Sequence, residues 1–135
     1  MSLKITLKAH EKFIIGGAVI KNGDSKSSFS VENDVPILRE KDIMTLSSAN
    51  TPCRRIYFAV QLMYVDAKNM PEHHKTFWDL VKDVADAAPS QKPILHEISS
   101  RILNEQYYQA LKLTKKLMDY EKEIVNRVRS ATWSL

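Results

Sequence analysis

Thr51-Pro52-Cys53-Arg54-Arg55-Ile56-Tyr57-Phe58-Ala59-Val60-Gln61-Leu62-Met63-Tyr64 is the stretch on which the chain turns from one architecture to another. Thr51 is a good N-cap and Pro52 a good first helical residue, and the apolar run behind them predicts a helix over 52–65 that is buried on most sides. Arg54 and Arg55 fall in its first turn, where aligned backbone dipoles already present partial positive charge. Cations there call for an anion. Either a guest anion sits between the free N–H groups and the guanidinium groups, as in phosphate capture, or Glu40 and Asp42, upstream in the connector, fold back on the arginines.

Before this helix the hydrophobic period is two. Leu3, Ile5 and Leu7 alternate with Lys4, Thr6 and Lys8, which gives a strand with one buried and one wet face. A second extended run, Phe13 to Ile20, is interrupted at Gly16-Gly17 by a bulge or tight turn. Asn22-Gly23 is a strong hairpin signal and predicts Ser28 to Val31 as the return strand. A last piece through Ile37 and Leu38 follows Pro36, which confines it to an edge.

After residue 51 the period is helical. A second helix starts near Pro71 and ends at Pro89, a third covers Pro93 to Leu103, and Asn104 is placed to cap the longest, about 105 to 129. The seam of that last helix runs through Ala110, Leu113, Leu117, Tyr120, Ile124 and Val128, and residues 130–135 read as a frayed tail. The fold class is therefore α+β: a small N-terminal antiparallel sheet, residues 1–48, on a C-terminal layer of about four helices, residues 51–129, in one domain spanning 1–135. A sheet that small cannot bury enough surface alone, so the helix at Pro52 is its natural cover and self-association into a homo-oligomer is expected to hide the remainder.

The 135 residues carry a formal net charge of +4, which favours an acidic partner. Cys53 is the only cysteine, so no intrachain disulfide forms and a reducing cytoplasm fits. Its place beside Arg54 would lower a thiol pKa, but no base stands near it in sequence, which favours a small residue packed at the helix start over a nucleophile. No secretory signal or membrane-spanning run is expected. His73 and His74 are adjacent and point apart on a helix, which argues against a metal site. The common phosphate-loop, dinucleotide, metalloprotease and hydrolase motifs are missing, which argues against an enzyme and gives no reason for a cofactor.

What the charge pattern offers is a nucleic-acid surface. Lys4 and Lys8 on the wet face of the first strand, Arg39 and Lys41 in the connector and Arg54 and Arg55 at the helix start could together neutralise several phosphates. Tyr57 adjoins the arginines and could stack on a base, although its helical position also fits the core. A second basic surface lies along the last helix at Lys112, Lys115, Lys116, Lys122 and Arg129, a pattern that a solvated bundle face explains equally well.

The run Leu38 to Met44, followed by Thr51-Pro52-Cys53-Arg54-Arg55-Ile56-Tyr57-Phe58-Ala59, resembles the hallmark of the FlbT family. Leu3-Lys4-Ile5-Thr6-Leu7-Lys8, Glu11-Lys12-Phe13, the segment Gly17 to Asp24 and Tyr107-Tyr108-Gln109-Ala110-Leu111 are similar to the family pattern in the same order. Cys53 departs from it where a small residue such as alanine is common, and Gly16 where a polar residue is expected. The resemblance implies a cytoplasmic, non-enzymatic, post-transcriptional regulator that associates with the 5′ untranslated region of flagellin mRNA. In the family this usually lowers flagellin translation and message lifetime, coupling synthesis to flagellum assembly, and some members activate instead. FlaF and flagellin are the protein partners it implies. The alternative reading is a protein-interaction module that binds FlaF, flagellin or a second copy through the seam from Ala110 to Val128, with indirect effects on mRNA.

Overall fold

The computed structural model describes residues 2–133. It divides into two compact units, the first ending at Ile43 and the second starting at Met44. Strands precede helices, as the change of period requires, and the class is α+β.

The first unit holds two small antiparallel sheets. β1 (Leu3–Leu7) pairs with β4 (Ser27–Val31), with Ile5 opposite Phe29. β2 (Lys12–Ile15) lies between β3 (Ala18–Lys21) and β5 (Ile37–Arg39), so the piece that follows Pro36 is an edge. Ile5, Leu7 and Phe13 form the core, with Ile15, Phe29, Val31 and Ile37 packed against it. The Phe13 and Phe29 ring centroids lie 5.3 Å apart.

The turn assignment differs from the one expected. Gly16 and Gly17 join β2 to β3 as a two-residue loop, at φ 55° and 86°, between the paired Ile15 and Ala18. Both central residues of such a turn need positive φ, which a Gly-Gly pair supplies without strain. Asn22-Gly23 is not a two-residue hairpin, and the strand after it pairs with β1 instead of with β3. Asn22 works as a clip: its amide donates to the Lys8 carbonyl at 2.8 Å and the Ser25 carbonyl at 3.0 Å, while its oxygen accepts from the Ser27 hydroxyl at 3.0 Å.

The second unit holds α1 (Pro52–Val65), α2 (Met70–Ala87), α3 (Lys92–Leu103) and α4 (Tyr107–Trp133). α1 packs against both α2 and α4, and α3 packs on α4. Ile56, Val60 and Met63 on α1 are buried together with Phe77, Ile98, Ile102, Leu111 and Leu117. Gln61 is buried on α1 too, and its side chain accepts the Met44 N–H at 2.7 Å and donates to the Met44 carbonyl at 2.9 Å. Asn104 ends α3 and does not cap α4: its amide donates to the Ser100 carbonyl at 2.9 Å, and α4 starts at Tyr107. In place of the frayed tail expected over 130–135, helix continues to Trp133; Ser134 and Leu135 lie outside the described residues.

Candidate nucleic-acid interface

In the first unit, the turn after β1 and the end of β5 enclose an open cavity of about 680 Å³ lined by Lys8, His10, Glu11, Arg39, Glu40 and Lys41. Three of the basic residues singled out in the sequence, Lys8, Arg39 and Lys41, therefore share one concavity, while Lys4 stands exposed on β1 outside it. Arg39 is held in place from two sides. Its Nη2 donates to the Thr6 carbonyl at 2.8 Å and pairs with Glu11 at 3.3 Å. The other Glu11 oxygen accepts the Lys8 N–H at 2.9 Å, and that bond, with Arg39 beside it, keeps the carboxyl below its usual pKa against the opposing effect of burial. His10 takes positive φ, 63°, in the turn; its N–H donates to the Gly23 carbonyl at 2.9 Å and its ring lies 3.4 Å from Asp24. With Arg39 paired to Glu11 and Glu40 in the same lining, the two exposed ammonium groups of Lys8 and Lys41 are the groups suited to a phosphate.

The second unit answers the question posed by the arginines at the helix start. Thr51 caps α1, its hydroxyl accepting the Arg54 N–H at 3.2 Å and donating to Glu121 of α4. The second oxygen of Glu121 accepts the Cys53 N–H at 3.1 Å. The expectation of a guest anion on the free N–H groups of α1 is thus corrected: the Cys53 N–H is taken by an internal carboxylate, which also matches the positive end of the dipole, and the Arg54 N–H by the Thr51 hydroxyl. Arg54 is half-buried and donates to the Ser48 carbonyl at 3.2 Å, whereas Arg55 is exposed.

Tyr57 is only 2% exposed, so the expected stacking platform is a core residue whose ring cannot lie against a base. Cys53 is a small residue packed at the helix start. It is buried, and burial first, then Glu121, pushes its thiol up to about 12, the opposite of an activated nucleophile.

Beside the α1 start, a groove of about 440 Å³ is lined by Asn50, Arg54, Asp119, Lys122, Asn126 and Arg129, among others. It joins Arg54 to two members of the second basic surface. Lys112, Lys115 and Lys116 are exposed farther back on α4, with the Lys112 Nζ 4.8 Å from the Tyr108 ring centroid. Sequence reasoning missed Glu121, Asn50 and Asn126, and no local pattern could have found them, because a cap supplied from another helix leaves no mark beside the helix it caps. The seam of α4 is buried at Ala110 and Leu117, partly buried at Leu113, Tyr120 and Ile124, and exposed at Val128.

His73 faces Asp66 at 3.0 Å, and among the described residues no group of three or more His, Cys, Asp or Glu side chains is placed to hold a metal ion. No helix among them is long and apolar enough to cross a membrane.

Residues 3–125 match the family described as Flagellar protein FlbT. The chain is 44% identical over 125 residues to the probable flagellum biosynthesis repressor protein FlbT 1 of Bradyrhizobium diazoefficiens, covering 92% of this chain and 85% of that one. It is 38% identical to the probable flagellum biosynthesis repressor FlbT of Rhodopseudomonas palustris, covering 94% of this chain and all of its relative. It is 36% identical to the flagellum biosynthesis repressor FlbT of Caulobacter vibrioides, covering 96% and 94% of the two chains. No solved structure matches it. With nearly its whole length matched, the chain belongs to the FlbT family.

Proposed function

We propose that this chain represses flagellin synthesis in the cytoplasm by binding the 5′ untranslated region of flagellin mRNA directly, lowering translation and message lifetime in step with flagellum assembly. The observation that carries this reading is the cavity where Lys8 and Lys41 flank an Arg39 fixed by Thr6 and Glu11. Phosphate is an anion that two exposed ammonium groups beside a fixed guanidinium suit, and unpaired leader RNA offers closely spaced phosphates. The groove with Arg54, Lys122 and Arg129, within the second unit, is a separate basic surface suited to phosphate. Base recognition lies elsewhere than at the buried Tyr57.

The rival, a module that binds FlaF or flagellin through the α4 seam, is disfavoured because Ala110 and Leu117 are already buried in the helical unit. Purified protein titrated with flagellin leader RNA, and in parallel with FlaF and flagellin, separates the two. Direct, salt-sensitive RNA binding supports the proposal; protein binding without it supports the rival.

A further inference from the structure

β3 is the outer strand of the β3-β2-β5 sheet, and all four of its residues are exposed, Val19 at 72% and Ile20 at 40%. The two-residue Gly16-Gly17 loop makes Ile15 and Ala18 the hydrogen-bonded closing pair, so hydrogen-bonded and open pairs alternate from there. Phe13 and Ile20 exchange bonds; Ile14 with Val19, and Lys12 with Lys21, do not. The bond from Asn22 N–H to the Glu11 carbonyl, 2.9 Å, continues the same alternation. It follows that the N–H and C=O groups of Val19 and Lys21 point away from β2, toward the open edge.

Lys12 and Lys21 face each other across an open pair, the arrangement that brings side chains closest, and like charges directly opposite are destabilising. Among the described residues neither forms an ion pair with a carboxylate. Lys21 on the edge, with Lys12 beside it on the neighbouring strand, disfavours basic strands and favours acidic ones. A second copy does not meet this demand. Antiparallel pairing of two β3 strands through their outward residues centres on Ile20, sets Lys21 against Val19 and brings no carboxylate to either lysine.

We infer that the open edge of β3 receives an extended, acidic segment of a partner protein as an added strand. Backbone bonds to Val19 and Lys21 supply the affinity, and a carboxylate opposite Lys21, with Lys12 on the strand behind it, supplies the selectivity. This surface is independent of the RNA reading.

The test is a fluorescence-anisotropy titration of the full chain with a labelled peptide alternating glutamate and valine, and with the same peptide carrying a central proline. The alternating peptide binds, and the proline peptide binds about tenfold more weakly or worse, as expected for lost backbone bonds. Val19→Pro removes an outward N–H without touching the β2 ladder, so it leaves the circular dichroism spectrum unchanged and weakens the alternating peptide by a similar factor. The double variant Lys12→Glu/Lys21→Glu abolishes binding by reversing the charge, and so decides the matter if Val19→Pro fails to fold. Three results overturn the inference: no binding of the alternating peptide, equal binding of both peptides, or self-association that Val19→Pro disrupts while peptide binding persists.

Discussion

Glu121 accepts the backbone N–H of Cys53 at 3.1 Å, so the final helix closes the first one. The carboxylate also takes the Thr51 hydroxyl, linking the N-cap of α1 to α4. Replacing Glu121 by Gln keeps the shape but removes the charge that complements the helix dipole, and costs about 1–2 kcal/mol in urea denaturation. The near-ultraviolet spectrum of the folded variant should match that of the parent.

The buried thiol beside that cap gives the fold an alkaline limit. Cys53 has a pKa of 9.0 when unfolded and about 12 when folded, so its contribution is fully present below pH 9.0 and is lost as pH rises toward about 12. In that window the unfolded chain has released the proton and the folded chain still holds it, which favours unfolding by up to about 1.4 kcal/mol per pH unit. Cys53→Ala should lose less stability than the parent between pH 9 and 11 when both are followed by urea denaturation.

Gln61 satisfies both backbone groups of Met44 from inside the helical unit. Gln61→Leu keeps the volume but strands a donor and an acceptor, a loss of about 2–4 kcal/mol. Hydrogen exchange at the Met44 amide should accelerate in this variant.

The two glycine sites in the first unit should differ in the reverse order of their hairpin reputations. Gly17 has φ 86°, so Gly17→Ala costs about 1–2 kcal/mol. Gly23 adopts no such conformation and has nothing within 4 Å of an added Cβ, so Gly23→Ala should change the urea midpoint little.

The sequence is most legible where local chemistry decides. Thr51-Pro52 sets the start of α1, and the apolar run behind it accounts for a helix buried on most of its sides, Tyr57 included. The error at Asn22 arose because two turn signals compete within seven residues. Gly16-Gly17 takes the tight turn, and Asn22 spends its amide on the Lys8 and Ser25 carbonyls. Glu121 was illegible for a different reason: its partners Thr51 and Cys53 lie about 70 residues away, and only tertiary folding brings them together. The basic residues were visible as a composition, but which of them meet was not. The cavity gathers Lys8, Arg39 and Lys41, and the groove gathers Arg54, Lys122 and Arg129.

Direct engagement of RNA phosphates by the first-unit cavity is tested most closely by the salt dependence of binding to flagellin leader RNA, measured for the parent and for Lys8→Gln/Lys41→Gln. Both lysines are exposed, so the fold is untouched. Loss of two phosphate contacts should reduce the slope of log affinity against log salt by about 1.4 for single-stranded RNA. An unchanged slope in the folded double variant would contradict the account.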